Sequence, residues 1–215
     1  MQVKIDLHVH SHFSSDSVIT PKQLGFYAKR HGLDGVAITD HDRLDSALAI
    51  AKSTDLLIVP GIEVSSLNGH IIGLNVQEKI PKKLGSEETV DRIHDAGGIA
   101  IACHPLAFFK GSLGKHTNAK FDAVEVVNAS AFPFNRSVVF AQRLAWNLRI
   151  AQVGGSDAHY GPEIGYGYTL IDAELEIDEI IRAIIRKRSQ PRGKPIPLTI
   201  RLKREFMTLV KKIRL

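Results

Sequence analysis

The chain has 215 residues, 44% of them hydrophobic, one cysteine and a net charge of +5, enough for a single domain with a sizeable core, barrels included. The lone Cys103 excludes an internal disulfide and points to a reducing, cytoplasmic setting. The opening MQVKIDLHVH lacks a signal-peptide core, and no apolar run reaches the roughly 18 residues of a membrane span.

In chain order, VKIDLHV (3–9) predicts the first strand, and the capping box Thr20-Pro21-Lys22-Gln23 opens a helix that Gly32 closes. GVAITD (35–40), LLIVPGIEV (56–64) and HIIGLNV (70–76) predict three more strands, the last two joined at an Asn68-Gly69 turn. Ser86 caps a helix over EETVDRIHDA, with Gly97 as its stop. Strands follow at IAIACH (99–104), DAVEVVN (122–128), IAQVGGSD (150–157) and GYTLID (167–172), with helices at 134–148 and 175–186. QPRGKPIP (190–197) reads as a stiff linker, and 198–215 as a basic amphipathic helix or strand-helix. The alternation predicts an α/β fold with a mostly parallel sheet, either open or closed into a barrel. In both, ligands collect at the carboxyl ends of the strands.

That is where the chemistry-bearing residues fall. Asp6, His8 and His10 alternate with Ile5, Leu7 and Val9, so strand geometry sends the polar three to one face and the aliphatics to the other. Asp40, His41 and Asp42 end one strand and Glu63 lies in PGIEVSS. His70 opens NGHIIGL, His104 ends IACHP, and Asp157 and His159 lie in GGSDAH. Gathering so many ionisable groups is costly unless cations offset it. Imidazole and carboxylate are ligands of zinc, iron and manganese.

DLHVHS, ITDHD, GIEVS, GHIIGL, CHP and GSDAH stand in the order found in the PHP (polymerase and histidinol phosphatase) phosphoesterases, which the chain resembles from about residue 3 to residue 172. The resemblance implies a distorted TIM-like (β/α)7 barrel with a trinuclear divalent metal site of zinc, manganese or iron. It implies a first metal on His8, His10, Glu63 and Asp157, a second on Glu63, His70 and His104, and a third on Asp16, His41 and His159. His12 competes with Asp16 for the third, and the S-x-D-S form favours Asp16. An Asn68-Gly69 turn leaves Glu63 and His70 on one face but about 13 Å apart along the strands, so a longer loop or a kink must bring them together.

A metal-dependent phosphoesterase acting on a phosphomonoester or nucleotide phosphate follows, with Asp157, His159 or His41 relaying the proton. Arg136, Lys110 and Lys115 follow strand ends and are candidates for holding phosphate, Arg136 as a bidentate clamp. Residues 182–215 hold 12 of the 28 Lys and Arg and a single acid, a net of +11 that leaves −6 for the rest. This divides a catalytic body, 1–189, from a basic extension, 190–215, that meets phosphate or is simply a solvated helix. A 5'-3' exonuclease or oligonucleotide-trimming enzyme using that tail is the neighbouring reading. A metal-bearing module that binds nucleic acid or a partner without turnover is a reading of another class. Plainer roles serve the remaining residues: His31 caps a helix, His94 is exposed, His116 lies in a solvated loop, and Cys103 points away from its neighbour His104 as a buried inert thiol. Asp6 and Asp40 either orient imidazoles or make ordinary strand-end hydrogen bonds.

Overall fold

The computed structural model describes residues 1–108 and 111–214. Its elements are β1 (Gln2–Val9), α1 (Pro21–Arg30), β2 (Gly35–Ile38), α2 (Asp45–Ala51), β3 (Leu57–Ser66), β4 (Gly69–Leu74), α3 (Ser86–Asp95), β5 (Ile99–Ala102), β6 (Ala123–Asn128), α4 (Phe134–Leu148), β7 (Ala151–Gly155), β8 (Gly167–Asp172), α5 (Ile177–Ile185), β9 (Ser189–Gly193) and α6 (Leu198–Arg214). All nine strands form one sheet in the order β7-β6-β5-β4-β3-β2-β1-β8-β9.

The sheet curls into a nearly closed barrel. Across the seam, Gly154 N donates to Thr169 Oγ1 at 2.8 Å and Asp157 N donates to His8 O at 2.8 Å. One apolar cluster touches strands all round the sheet, including Ile5, Leu7, Val59, Ile101 and Val153, and is completed by Ile180 and Ile184 of α5. It is therefore the barrel interior. α1 and α2 cover the outer face over Val36 and Ile38. The seam needs glycine. A Cβ on Gly167 would lie 2.0 Å from Gly155 O, inside any tolerable contact. Gly167→Ala is expected to destabilise by about 3 kcal/mol, the upper range for overpacking. Gly85→Ala, where a Cβ meets nothing within 4 Å, should change little. Denaturant midpoints of the two variants check this.

The barrel is less parallel than alternation suggests: β3–β4, β4–β5, β1–β8 and β8–β9 all pair antiparallel. A tight turn at Leu67–Asn68, one residue earlier than the Asn68-Gly69 turn, folds β4 straight back on β3 with Ser66 opposite Gly69. Asn68 instead accepts from Ser86 N at 2.8 Å, so Ser86 is the first residue of α3 and Gly85 its cap. α2 has no sequence-level forecast. Within QPRGKPIP, 190–193 are not a linker but most of β9, which runs through the 189/190 division. No helix among the described residues is long and apolar enough to cross a membrane.

Candidate metal centre

A break in β1 sets up the site. Its pairing with β2 shifts register between Asp6 and Val9, and such a bulge re-aims side chains. Ile5 and Leu7 face the barrel interior, whereas Val9 packs outside with α1. The strict alternation of Asp6, His8 and His10 on one face therefore fails. Asp6 turns to the β7–β8 connection and accepts from Ser156 N at 2.8 Å and Gly165 N at 2.9 Å. Burial pushes its carboxyl up to about 6 against those bonds. Asp40 likewise accepts from Ser11 N at 2.6 Å. Both make ordinary strand-end hydrogen bonds rather than orienting an imidazole.

His8 and His10, fully buried, point into a cluster centred on Glu63, which is 1% exposed. Glu63 Oε2 lies 3.3 Å from His8 Nε2, 3.0 Å from His10 Nε2 and 3.3 Å from His41 Nδ1. Its Oε1 lies 3.0 Å from His70 Nδ1 and 3.1 Å from His104 Nε2. Asp157 Oδ1 approaches His8 and His10 at 3.7 and 3.6 Å and His159 Nδ1 at 3.5 Å. Asp16 Oδ2 sits 3.4 Å from His41 Nε2 and 3.2 Å from His159 Nε2. All nine residues named from the resemblance thus meet at the carboxyl ends of the parallel strands. His12 is exposed and stacks on Phe13 instead.

Glu63 and His70 need no long loop. His70 faces Ser65 across the hairpin and Glu63 faces Ile72, so the two are diagonal neighbours two residues apart, within reach of long side chains. His104 and Asp157 leave their strands with left-handed backbones, φ 32° and 54°. A non-glycine residue there costs of order 1 kcal/mol or more, and such strain gathers at functional sites.

The electrostatics favour cations. Burial alone would push the Glu63 carboxyl up; the imidazoles around it, His8 and His41 foremost, outweigh burial and hold it well below the usual range. Burial drives His10 down to about 3, with His159 adding to it. Burial opposes charge on His41 too, but Glu63 and Asp16 outweigh it and raise the group to about 9. The Nε2 atoms of His8 and His10 lie 3.1 Å apart on one carboxylate oxygen. Buried His10 Nδ1 and His104 Nδ1 have no hydrogen-bond partner. Convergent neutral imidazoles around a shared carboxylate form a donor set that fits divalent cations.

Two residues of this centre went unread in the sequence. Glu125 Oε1 holds His8 Nδ1 at 3.0 Å, fixing which ring nitrogen faces the centre, while its Oε2 accepts from His104 N at 2.8 Å. Asn128 bridges it to Asp157, with Nδ2 2.9 Å from Glu125 Oε2 and 3.1 Å from Asp157 Oδ2. A buried acid amid the valines of DAVEVVN was the available signal. Cys103 does not point away: its Sγ lies 3.4 Å from Glu63 Oε1, and burial together with Glu63 raises its thiol well above the ordinary value.

α6 closes one side of the centre with its polar face. Lys211 Nζ donates to the carbonyls of His12, Ser14 and Ser17 at 3.0, 2.8 and 2.8 Å, gripping the loop that carries Asp16. Arg201 donates to Ser130 O and Ala129 O at 3.1 and 3.0 Å. Arg204 reaches Glu163 Oε1 at 3.3 Å, and Glu163 Oε2 accepts from His159 N at 2.9 Å. Leu202, Phe206, Leu209 and Ile213 face outward.

The remaining candidates lie apart from this cluster of contacts. Arg136 is exposed on the first turn of α4, its guanidinium 5.7 and 5.4 Å from the Phe108 and Phe140 rings. Lys115 is exposed beside His116 in a short 3-10 turn. Lys110 lies outside the described residues. His31 caps α1, and His94 pairs with Asp122 at 2.8 Å.

Comparison with known proteins agrees with this picture. The PHP domain profile matches residues 6–123, and the PHP-associated profile matches 139–189. An uncharacterised protein of Methanocaldococcus jannaschii is 37% identical over 141 residues, 59% of this chain and 82% of that one. A 5'-3' exoribonuclease of Haemophilus influenzae is 36% identical over 89 residues, 38% of this chain and 32% of that protein. Among solved structures, a two-domain Bacteroides vulgatus protein containing a predicted PHP-like metal-dependent phosphoesterase superposes with a TM-score of 0.73 at 18% identity, over 97% of this chain and 70% of that one. A lesion-specific endonuclease of Pyrococcus furiosus superposes with a TM-score of 0.65 at 16% identity, over 86% and 56%.

Proposed function

Because the chain belongs to the PHP-domain family, whose members are metal-dependent hydrolases, we propose that it hydrolyses a phosphomonoester or nucleotide phosphate at the cluster around Glu63. One observation carries the reading: a single buried carboxylate lies within 3.3 Å of nitrogens from five imidazoles, His8, His10, His41, His70 and His104.

His8, His10, Glu63 and Asp157 would hold one divalent cation, Glu63, His70 and His104 a second, and Asp16, His41 and His159 a third. Bound there, zinc, manganese or iron would supply Lewis acidity toward a phosphoryl oxygen and a water of lowered pKa. The chain's own residues do the rest. Glu125 and Asn128 keep His8 and Asp157 aimed inward. His41 and His159 are the cluster members reachable from solvent that also contact a carboxylate, which suits them or Asp157 to passing a proton to the leaving group. The buried, protonated Cys103 is no nucleophile. Arg136 and the lysines of the 110–115 loop would meet the far side of a phosphorylated substrate.

The exoribonuclease relative and the endonuclease neighbour support a second reading, a nuclease. Holding a strand by the tail is the weaker part of it, because Arg201, Arg204 and Lys211 are engaged within the chain. Protein loaded with Mn²⁺, Zn²⁺ or Fe²⁺ should hydrolyse p-nitrophenyl phosphate or a nucleoside 3',5'-bisphosphate, and chelation should abolish turnover. Cleavage of oligonucleotides but not of these monoesters would move the assignment to a nuclease. No turnover with any metal or substrate would leave a binding module and end the hydrolase reading.

A further inference from the structure

A cavity of about 690 Å³ lies at the opposite end of the barrel from the Glu63 cluster, where β7 begins rather than ends. Three elements wall it: the C-terminal end of α4 with Trp146 and Arg149, the start of β7 with Gln152, and the α5–β9 connection with Lys187 and Arg192. From Gln152 to Asp157 is five residues of extended chain, about 17 Å, so the cavity and the metal centre are separate places.

Three features set it apart from an ordinary surface hollow. Trp146, the chain's one tryptophan, is 78% exposed on its rim. A large indole left in water is uncommon without a ligand or partner for its ring face. Arg149 and Lys187 both take left-handed backbones, φ 57° and 59°, at the ends of α4 and α5, positions where glycine is the usual occupant. Both put a cation there, and among the described residues neither side chain has an ion-pair partner. The third cation, Arg192, is held in place by Gln190 Oε1 at 2.9 Å from Nη2. No Asp or Glu lines the cavity.

An exposed indole beside three cations and no acid matches one ligand chemistry. A nucleobase stacks on an aromatic face while arginine and lysine take its phosphate, and side-chain amides such as Gln142 and Gln152 can meet base edges. We propose that this cavity binds a nucleotide unit, with the base on Trp146 and the phosphate between Arg149, Lys187 and Arg192. The unit is either a free nucleotide or one residue of a single strand. The inference goes beyond the hydrolase reading and does not depend on turnover.

Trp146 is its own reporter. Full-length, metal-loaded protein is titrated with AMP and with a phosphorothioate hexadeoxyadenylate, which resists hydrolysis, while tryptophan emission is followed. Saturable quenching is expected. For the hexamer, the midpoint should rise at least about fivefold between 50 and 200 mM salt, because phosphate contacts release counterions. The doubly substituted Arg149→Gln, Lys187→Gln protein should raise the midpoint at least about tenfold while keeping p-nitrophenyl phosphate turnover and the thermal midpoint of the parent. Saturation by AMP identifies a free-nucleotide site, and saturation by the hexamer alone identifies a strand subsite; either supports the proposal. Absence of saturable quenching by both probes at millimolar concentration overturns it, as does an unchanged midpoint in the double variant. Should the double variant fold poorly, Trp146→Phe is read by anisotropy of a labelled hexamer, and unweakened binding overturns the stacking role. Binding without hydrolysis would leave this site standing and remove only the hydrolase assignment.

Discussion

Glu63→Gln should lower turnover at least about 10³-fold, the scale seen when a preorganised electrostatic group is removed from a reacting centre. The substitution keeps shape and removes the one charge that five imidazole nitrogens share at 3.0–3.3 Å. It also removes the only residue that would bridge two cations, so metal content by elemental analysis should fall with activity. Stability supplies a readout independent of turnover. A ligand at about 100 times its Kd stabilises the folded state by about 2.7 kcal/mol, which for a chain of this size is a rise of roughly 5–10 °C in thermal midpoint. The parent should show that rise on loading with Mn²⁺ or Zn²⁺, and Glu63→Gln most of its loss. Cys103→Ala serves as the control: its sulfur is 3.4 Å from the same carboxylate oxygen, yet turnover should stay within a few-fold. A Glu63→Gln protein with parental metal content and activity would remove the bridging role.

The nine residues of the cluster were legible because residue type and position agreed. Imidazoles and acids at successive strand ends are expensive in a core and expected at a binding mouth. What escaped the sequence has physical causes. Distance along the chain made Glu63 and His70 look remote, but a hairpin converts sequence separation into a diagonal contact, Glu63 facing Ile72 beside His70 facing Ser65. The bulge in β1 broke an alternation that looked unambiguous, sending Asp6 to Ser156 and Gly165. β9 hid because Ser-Gln-Pro-Arg-Gly has the composition of a linker. It is the terminal strand of the sheet, and proline is tolerated in a strand at a sheet's edge; Pro191 there faces Thr169. Glu125 hid because one acid among valines carries no period. For α6, amphipathic spacing announced two faces without saying which one meets the protein.

That last ambiguity leads to the second large effect, on Arg204. Its guanidinium approaches Glu163, whose side chain is fully buried, at 3.3 Å, and is itself 19% exposed. Burial pushes the Glu163 carboxyl up, and Arg204 is the strongest influence pulling it back down. Removing one member of a buried ion pair typically costs about 3–5 kcal/mol because the other is left uncompensated. Here Glu163 keeps two backbone donors, His159 N at 2.9 Å and Tyr160 N at 3.1 Å, and Arg204 is partly hydrated, so Arg204→Met should cost about 2 kcal/mol. Arg204→Lys keeps the charge and should recover about half of that loss, because a single ammonium cannot serve Ser130 Oγ and Glu163 together as the guanidinium does. Because Glu163 anchors the backbone of His159, the loss should also reach the centre: one cation per chain should become more easily removed by chelator, while the remainder stay as tightly held as in the parent. Lys203→Met, on the exposed side of α6, should alter neither property. Equilibrium denaturation and stepwise chelator titration measure the two effects separately, and a parental denaturation midpoint for Arg204→Met would show that the inward polar face of α6 contributes nothing to holding the fold around the cluster.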